Sequence, residues 1–126
     1  MSMTAMDLVA EAKQVIKEVD IDGAKQLMAD NAIVLDVREP AEVANGHLAG
    51  AANLPRGVLE FKVNEHPATQ DKNATYLVYC RTGGRSALAC QTLQRMGYAN
   101  VHSLAGGFEG WAEAGQSIEK DPAVCG

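Results

Sequence analysis

The sequence predicts an α/β domain with a central, mostly parallel sheet and helices on both faces. Three observations lead there. Short apolar runs at Ala32 to Val37, Tyr76 to Tyr79 and Val101 to Leu104 lack the alternation of a half-solvated sheet and read as buried strands. Stretches with helical period separate them, and strands that alternate with helices pack most simply as a parallel sheet covered on both sides. A length of 126 residues is that of one domain, large enough to bury a core without disulfides or metal.

From Thr4 to about Val19 the residues Leu8, Val9, Ala12, Val15, Ile16 and Val19 recur with helical period, with Thr4 placed as N-cap. The expectation is one amphipathic helix whose apolar face packs on the domain. Asp22 caps a second, short helix to about Asp30. The first strand, residues 32–37, ends on Asp36 and leads to Arg38. A helix over Glu39 to Asn45 has Pro40 in its first turn and Gly46 past its end. Residues 51–54 form a short strand stopped by Pro55, and residues 58–63 are helical. The polar stretch from Glu65 to Asn73, with Pro67, is a surface loop. After the strand at residues 76–79 comes a helix-former run closed by Gly97, with Leu88, Thr92, Leu93 and Met96 on one face. The last strand, residues 101–104, turns through Gly106-Gly107 into a helix containing Trp111. No repeat or low-complexity segment interrupts this order.

Hydrophobic residues make up 47% of the chain and charged residues 21%, the balance of an ordinary globular protein, with a low aromatic share of 5%. A net charge of −5 argues against nucleic acid or an anionic membrane as partner, since both need a basic surface. No run approaches a transmembrane span, and the start carries no secretion signal, so a cytoplasmic location is expected. The three cysteines, Cys80, Cys90 and Cys125, are an odd number without metal-ligand spacing, which suits a reducing compartment and implies no metal site.

Cys80 heads the run Cys80-Arg81-Thr82-Gly83-Gly84-Arg85-Ser86, between a strand's C-terminal end and a helix start. Open α/β sheets place ligand sites there. The glycines let backbone N–H groups turn inward, and the arginines add charge, so the loop reads as a small cationic cup. Such a cup favours a thiolate and holds an anionic substrate beside it. The alternative is a buried cysteine followed by an ordinary Gly-Gly turn; Arg81 and Arg85 weigh against that. Cysteine phosphatases place their arginine six residues after the cysteine. Here that position is Ser86, and Arg85 comes one residue earlier. The cup is one residue smaller.

Four ordered motifs carry a family resemblance: Val34-Leu35-Asp36-Val37-Arg38-Glu39-Pro40, the run from Gly46-His47 to Leu54-Pro55, the Cys80 loop, and Gly106-Gly107-Phe108-Glu109-Gly110-Trp111. With them the chain resembles a single-domain rhodanese, a sulfurtransferase. The resemblance implies a rhodanese-like three-layer domain over residues 21–120, an N-terminal helical extension over 1–20 and a tail over 121–126. It also implies a thiosulfate sulfurtransferase. Cys80 would accept sulfane sulfur from a small anionic donor, thiosulfate or a persulfide, and pass it to cyanide, a thiol or a sulfur-relay protein. Arg81, Thr82, Gly83, Gly84, Arg85 and Ser86 would bind the donor, and no cofactor is implied. Rival readings are a persulfide carrier or adaptor, a phosphatase or arsenate reductase using the same cup, and a non-catalytic binding domain. The last is disfavoured by the presence of Cys80.

The remaining candidates are weaker. Asp36 and Arg38 are expected to brace the site as scaffold, and Arg56 is expected near its mouth by resemblance, where a solvated arginine is the competing reading. His47 is placed as structural rather than as a general base, and His66 and His102 have no assigned partner. Cys90 is expected to be packing. Cys125, next to last in the chain, is the candidate for a resolving thiol. Phe108 and Trp111 anchor the last helix.

Overall fold

The computed structural model describes residues 2–120. Lys17–Val19 (β1), Ile33–Asp36 (β2), Ala52–Asn53 (β3), Thr75–Tyr79 (β4) and Asn100–Leu104 (β5) form one sheet in the order β1-β5-β4-β2-β3. All four pairings are parallel. Around it lie Ala5–Lys13 (α1), Ile21–Ala29 (α2), Pro40–Ala44 (α3), Leu59–Lys62 (α4), Gly84–Arg95 (α5) and Gly107–Glu113 (α6), with single 3-10 turns at Arg56–Val58 and Pro67–Thr69.

Side-chain alternation along the strands divides the core in two. Leu35, Val37, Tyr76, Val78, Cys80 and Val101 meet Leu59 of α4 and Ala89, Cys90 and Leu93 of α5 on one face. Val34, Leu77, Tyr79 and Leu104 meet Ala24 of α2 and Trp111 of α6 on the other. Two covered faces explain why β2 and β4 read as unbroken apolar runs.

The N-terminal segment departs from the expectation of one helix to Val19. Thr4 does cap it: its hydroxyl accepts from the Asp7 N–H at 3.1 Å while the Asp7 carboxylate accepts from the Thr4 N–H at 2.9 Å. The helix ends at Lys13, however, and Lys17–Val19 becomes the edge strand, pairing with His102, Ser103 and Leu104. Val15, Ile16 and Val19 are β-branched and stiff in a helix, and the β5 edge offers this segment a ladder of backbone partners. The α1 face carrying Val9 and Ala12 packs on Ala87 of α5, as expected of an apolar helical face. A second correction concerns α2, whose cap is Asp20 rather than Asp22: the Asp20 carboxylate accepts from the Gly23 N–H at 2.8 Å. Among the described residues no helix is long and apolar enough to cross a membrane.

Candidate active site around Cys80

β4 stops at Tyr79 and α5 starts at Gly84, so Cys80 to Gly83 turn at the C-terminal edge of the sheet, where parallel strands deliver their ends to one place. Strand alternation points Cys80 to the α5 face, where it is 1% exposed. Gly83 adopts φ +117°, a conformation L side chains rarely take, and this turns its N–H onto the Cys80 sulfur at 3.1 Å. Sγ thus sits over the first turn of α5, whose N–H groups have no acceptors within the helix. That geometry gives the sulfur a backbone N–H donor at the helix start.

Beneath the sulfur lies a pair of buried hydroxyls. Ser86 Oγ is 3.5 Å from Cys80 Sγ and 2.8 Å from Ser103 Oγ. Ser86 also reaches the Gly83 carbonyl at 3.3 Å. Ser103 lies on β5 two residues from Val101, hence on the same face as Cys80.

The α6 start holds the loop from the opposite side. The Phe108 N–H donates to the Cys80 carbonyl at 2.8 Å and the Glu109 N–H to the Arg81 carbonyl at 3.0 Å. So close an approach requires Gly107: at φ +59°, a Cβ there would stand 2.5 Å from the Arg81 oxygen.

Neither loop arginine is free. The Arg85 guanidinium forks onto Glu42 of α3 at 2.7 and 2.9 Å, and Arg81 donates to Glu109 at 3.0 Å. Arg85 holds the Glu42 carboxyl well below its ordinary range, at about 2, against the opposing effect of partial burial. The expected cationic cup is therefore, at its rim, a set of ion pairs. A cavity of about 380 Å³ opens beside the loop, lined by Arg38, Glu42, Arg81, Phe108, Glu109 and Glu113 among others.

A family model described as Rhodanese-like domain matches residues 20–114. The chain belongs to the rhodanese-like family. A protein named Sulfurtransferase from Allochromatium vinosum is 35% identical over 105 residues, 82% of this chain and 94% of that one. Thiosulfate sulfurtransferase GlpE of Pseudomonas entomophila is 38% identical over 96 residues, 75% of this chain and 84% of its own length. Among solved structures, the human single-domain sulfurtransferase TSTD1 superposes with a TM-score of 0.70 at 27% identity, covering 76% of this chain and 95% of that one. A protein of unknown function from Rhodopseudomonas palustris, described as a possible tyrosine phosphatase, superposes with a TM-score of 0.86 at 30% identity, covering 94% and 96%.

Within this rhodanese-like domain Asp36 and Arg38 form a buried pair. Arg38 donates to the Asp36 carboxylate through Nε at 3.1 Å and Nη2 at 2.8 Å, and to the Gly46 carbonyl at 2.7 Å. Its guanidinium lies 4.3 Å from the centre of the Phe108 ring. The pair thus ties β2, the end of α3 and α6 together around the loop. Arg56 is not brought to the loop's arginines: it holds Glu60 at 3.1 Å and Thr92 of α5 at 3.2 Å, more than two turns past the helix start. His47 is buried, donates through Nδ1 to the Leu48 carbonyl at 2.8 Å, and its backbone bridges to Glu119. His66 accepts the Ala68 N–H, and His102 is half-buried on β5. Cys90 is fully buried, and burial pushes its thiol up to about 12. Thr82 and Arg81 are exposed. Cys125 lies outside the described residues.

Sequence reading did not single out Ser103, Glu42, Glu109 or Gly107 as site residues. Gly107 carried a signal, a Gly-Gly step at the end of a strand adjacent to β4. The others meet the loop only through the fold.

Proposed function

We propose that this rhodanese-like protein is a sulfurtransferase that carries sulfane sulfur on Cys80. The observation that carries the reading is the Gly83 N–H held 3.1 Å from Cys80 Sγ at the start of α5, in a loop whose arginine stands five residues after the cysteine. Cys80 thiolate attacks the outer sulfur of thiosulfate or a persulfide donor. A new S–S bond forms, the donor's S–S bond breaks, and its electron pair leaves with sulfite or the donor thiolate. Backbone N–H groups of Arg81 to Ser86 stabilise the anionic persulfide sulfur. An acceptor thiolate or cyanide then takes the outer sulfur and returns Cys80 thiolate. The family match and the sulfurtransferases among its relatives support this chemistry, with thiosulfate the first donor to test. A cytoplasmic thiol pool is the setting in which we expect it to operate.

The test is intact mass after incubation with thiosulfate or an alkyl hydropersulfide and desalting, for the wild type and Cys80→Ala. Gain of one sulfur atom by the wild type alone supports the proposal. No gain with either donor overturns it. Turnover of an aryl phosphate would favour the phosphatase reading instead.

A further inference from the structure

We propose that Glu42 and Glu109 determine donor specificity, selecting hydropersulfides, which carry at most one charge, over the thiosulfate dianion by holding the loop arginines in ion pairs. This rests on the reading of Cys80 as the sulfur carrier.

The argument is one of charge. Attack of a thiolate on thiosulfate gathers three negative charges, one from sulfur and two from the donor. Attack on a hydropersulfide gathers one, from the cysteine, when the donor reacts in its protonated form R–S–SH, and at most two when the donor is ionised. In the second case Cys80 Sγ bonds to the outer sulfur, the S–S bond to R–S breaks, the electron pair departs with R–S⁻, and the proton stays on the transferred sulfur. No other reactant is needed.

A site built for the dianion would present unpaired cations. Here the fork from Arg85 to Glu42 uses both terminal nitrogens, at 2.7 and 2.9 Å, and the exposed Arg81 donates through Nε to Glu109 at 3.0 Å. Arg38, the other arginine lining the cavity, is buried against Asp36. Each of these pairs sums to zero. Glu113, one turn along α6 from Glu109, lines the same cavity, is exposed and has no ion-pair partner among the described residues. The charges lining the cavity beside the loop thus sum to neutral or negative. What remains positive is the N-terminal end of α5, equivalent to about half an elementary charge. That matches one developing thiolate and not three charges. Glu42 stays ionised at any physiological pH, so its pair with Arg85 keeps a net charge of zero there.

The experiment compares Cys80 sulfur loading from thiosulfate and from hydroxyethyl hydropersulfide, which has no charged group besides its own sulfur, by stopped mass measurement, in wild type, Glu42→Gln, Glu109→Gln, the double variant and Glu42→Asp. The expected result is a wild type that prefers the hydropersulfide. The thiosulfate rate rises by about tenfold in the double variant, while the hydropersulfide rate changes by less than about threefold, and Glu42→Asp restores the wild-type ratio. A purely structural role would lower both rates together and leave the ratio unmoved, which overturns the inference. A wild type that prefers thiosulfate overturns it as well. If no donor loads any variant, the sulfur-carrier reading has failed, a result distinct from an unmoved ratio.

Discussion

Ser103 Oγ stands 2.8 Å from Ser86 Oγ, although 17 positions separate them in sequence, and both hydroxyls are buried under Cys80 Sγ. A hydroxyl has one proton to give. When Ser103 gives its own to Ser86, the Ser86 proton is free to point at the Gly83 carbonyl or at an anionic sulfur. Ser103 therefore acts on Cys80 through Ser86, as a positioning residue. In Ser103→Ala we expect Cys80 alkylation at pH 7 to slow by about three- to tenfold, the equivalent of one hydrogen bond of about 1 kcal/mol. Ser103→Thr, which keeps a hydroxyl at this position, should recover most of the rate. Equal slowing in both variants would show a packing defect instead.

Gly107 and Gly110 share α6 but face different surroundings. A Cβ at Gly107 meets the Arg81 oxygen at 2.5 Å with φ at +59°, whereas at Gly110 nothing lies within 4 Å and φ is not positive. Gly107→Ala should cost at least about 2 kcal/mol, from left-handed strain together with backbone overlap, and should displace the carbonyls of Cys80 and Arg81. Gly110→Ala should stabilise by about 0.5–1 kcal/mol through helix propensity. Chemical denaturation of both variants checks the pair. A tolerated Gly107→Ala would mean that α6 does not clamp the loop.

Much of this fold is legible in the residues because burial writes itself into them. β2 and β4 are apolar on both faces, and the strand ends that they imply already bring Asp36 and Cys80 to one edge of the sheet. β1 is not legible for the opposite reason. Lys17 and Glu18 are exposed, so the strand is defined by its ladder to β5 and not by its own composition. The Cys80 loop was visible from its glycines and arginines, but the destination of those arginines was not. Glu42 and Arg85 are 43 positions apart, and only the meeting of α3 with the start of α5 shows that they neutralise each other.

That pairing also has a pH signature. Folded Glu42 releases its proton at about 2, whereas an unfolded glutamate does so near 4.5. Between those values the unfolded chain binds more protons, so this contribution to stability is complete above about pH 5 and fades as the pH falls toward 2. Because the pair is partly exposed, its size is no more than about 1 kcal/mol. Glu42→Gln should therefore melt below the wild type at pH 6, and the two melting temperatures should approach each other as the pH falls to the lower end of that window. A constant gap across the range would assign the loss to something other than the ion pair.

Cys90 tests the opposite extreme of cysteine chemistry. It is fully buried on α5, and burial first, then the charges of Cys80 and Glu18, hold its thiol up at about 12. At pH 8 it stays protonated and inaccessible, with neither the charge nor the access that thiol exchange requires. Peptide mapping after brief alkylation of the native protein should find Cys90 unmodified and, after denaturation, fully modified. Cys90→Ala should keep Cys80 sulfur loading within about twofold and cost about 1 kcal/mol of stability, the usual scale for removing a small buried group. Loss of loading in a variant that still folds would make Cys90 part of the sulfur path, and the packing role assigned to it would fall.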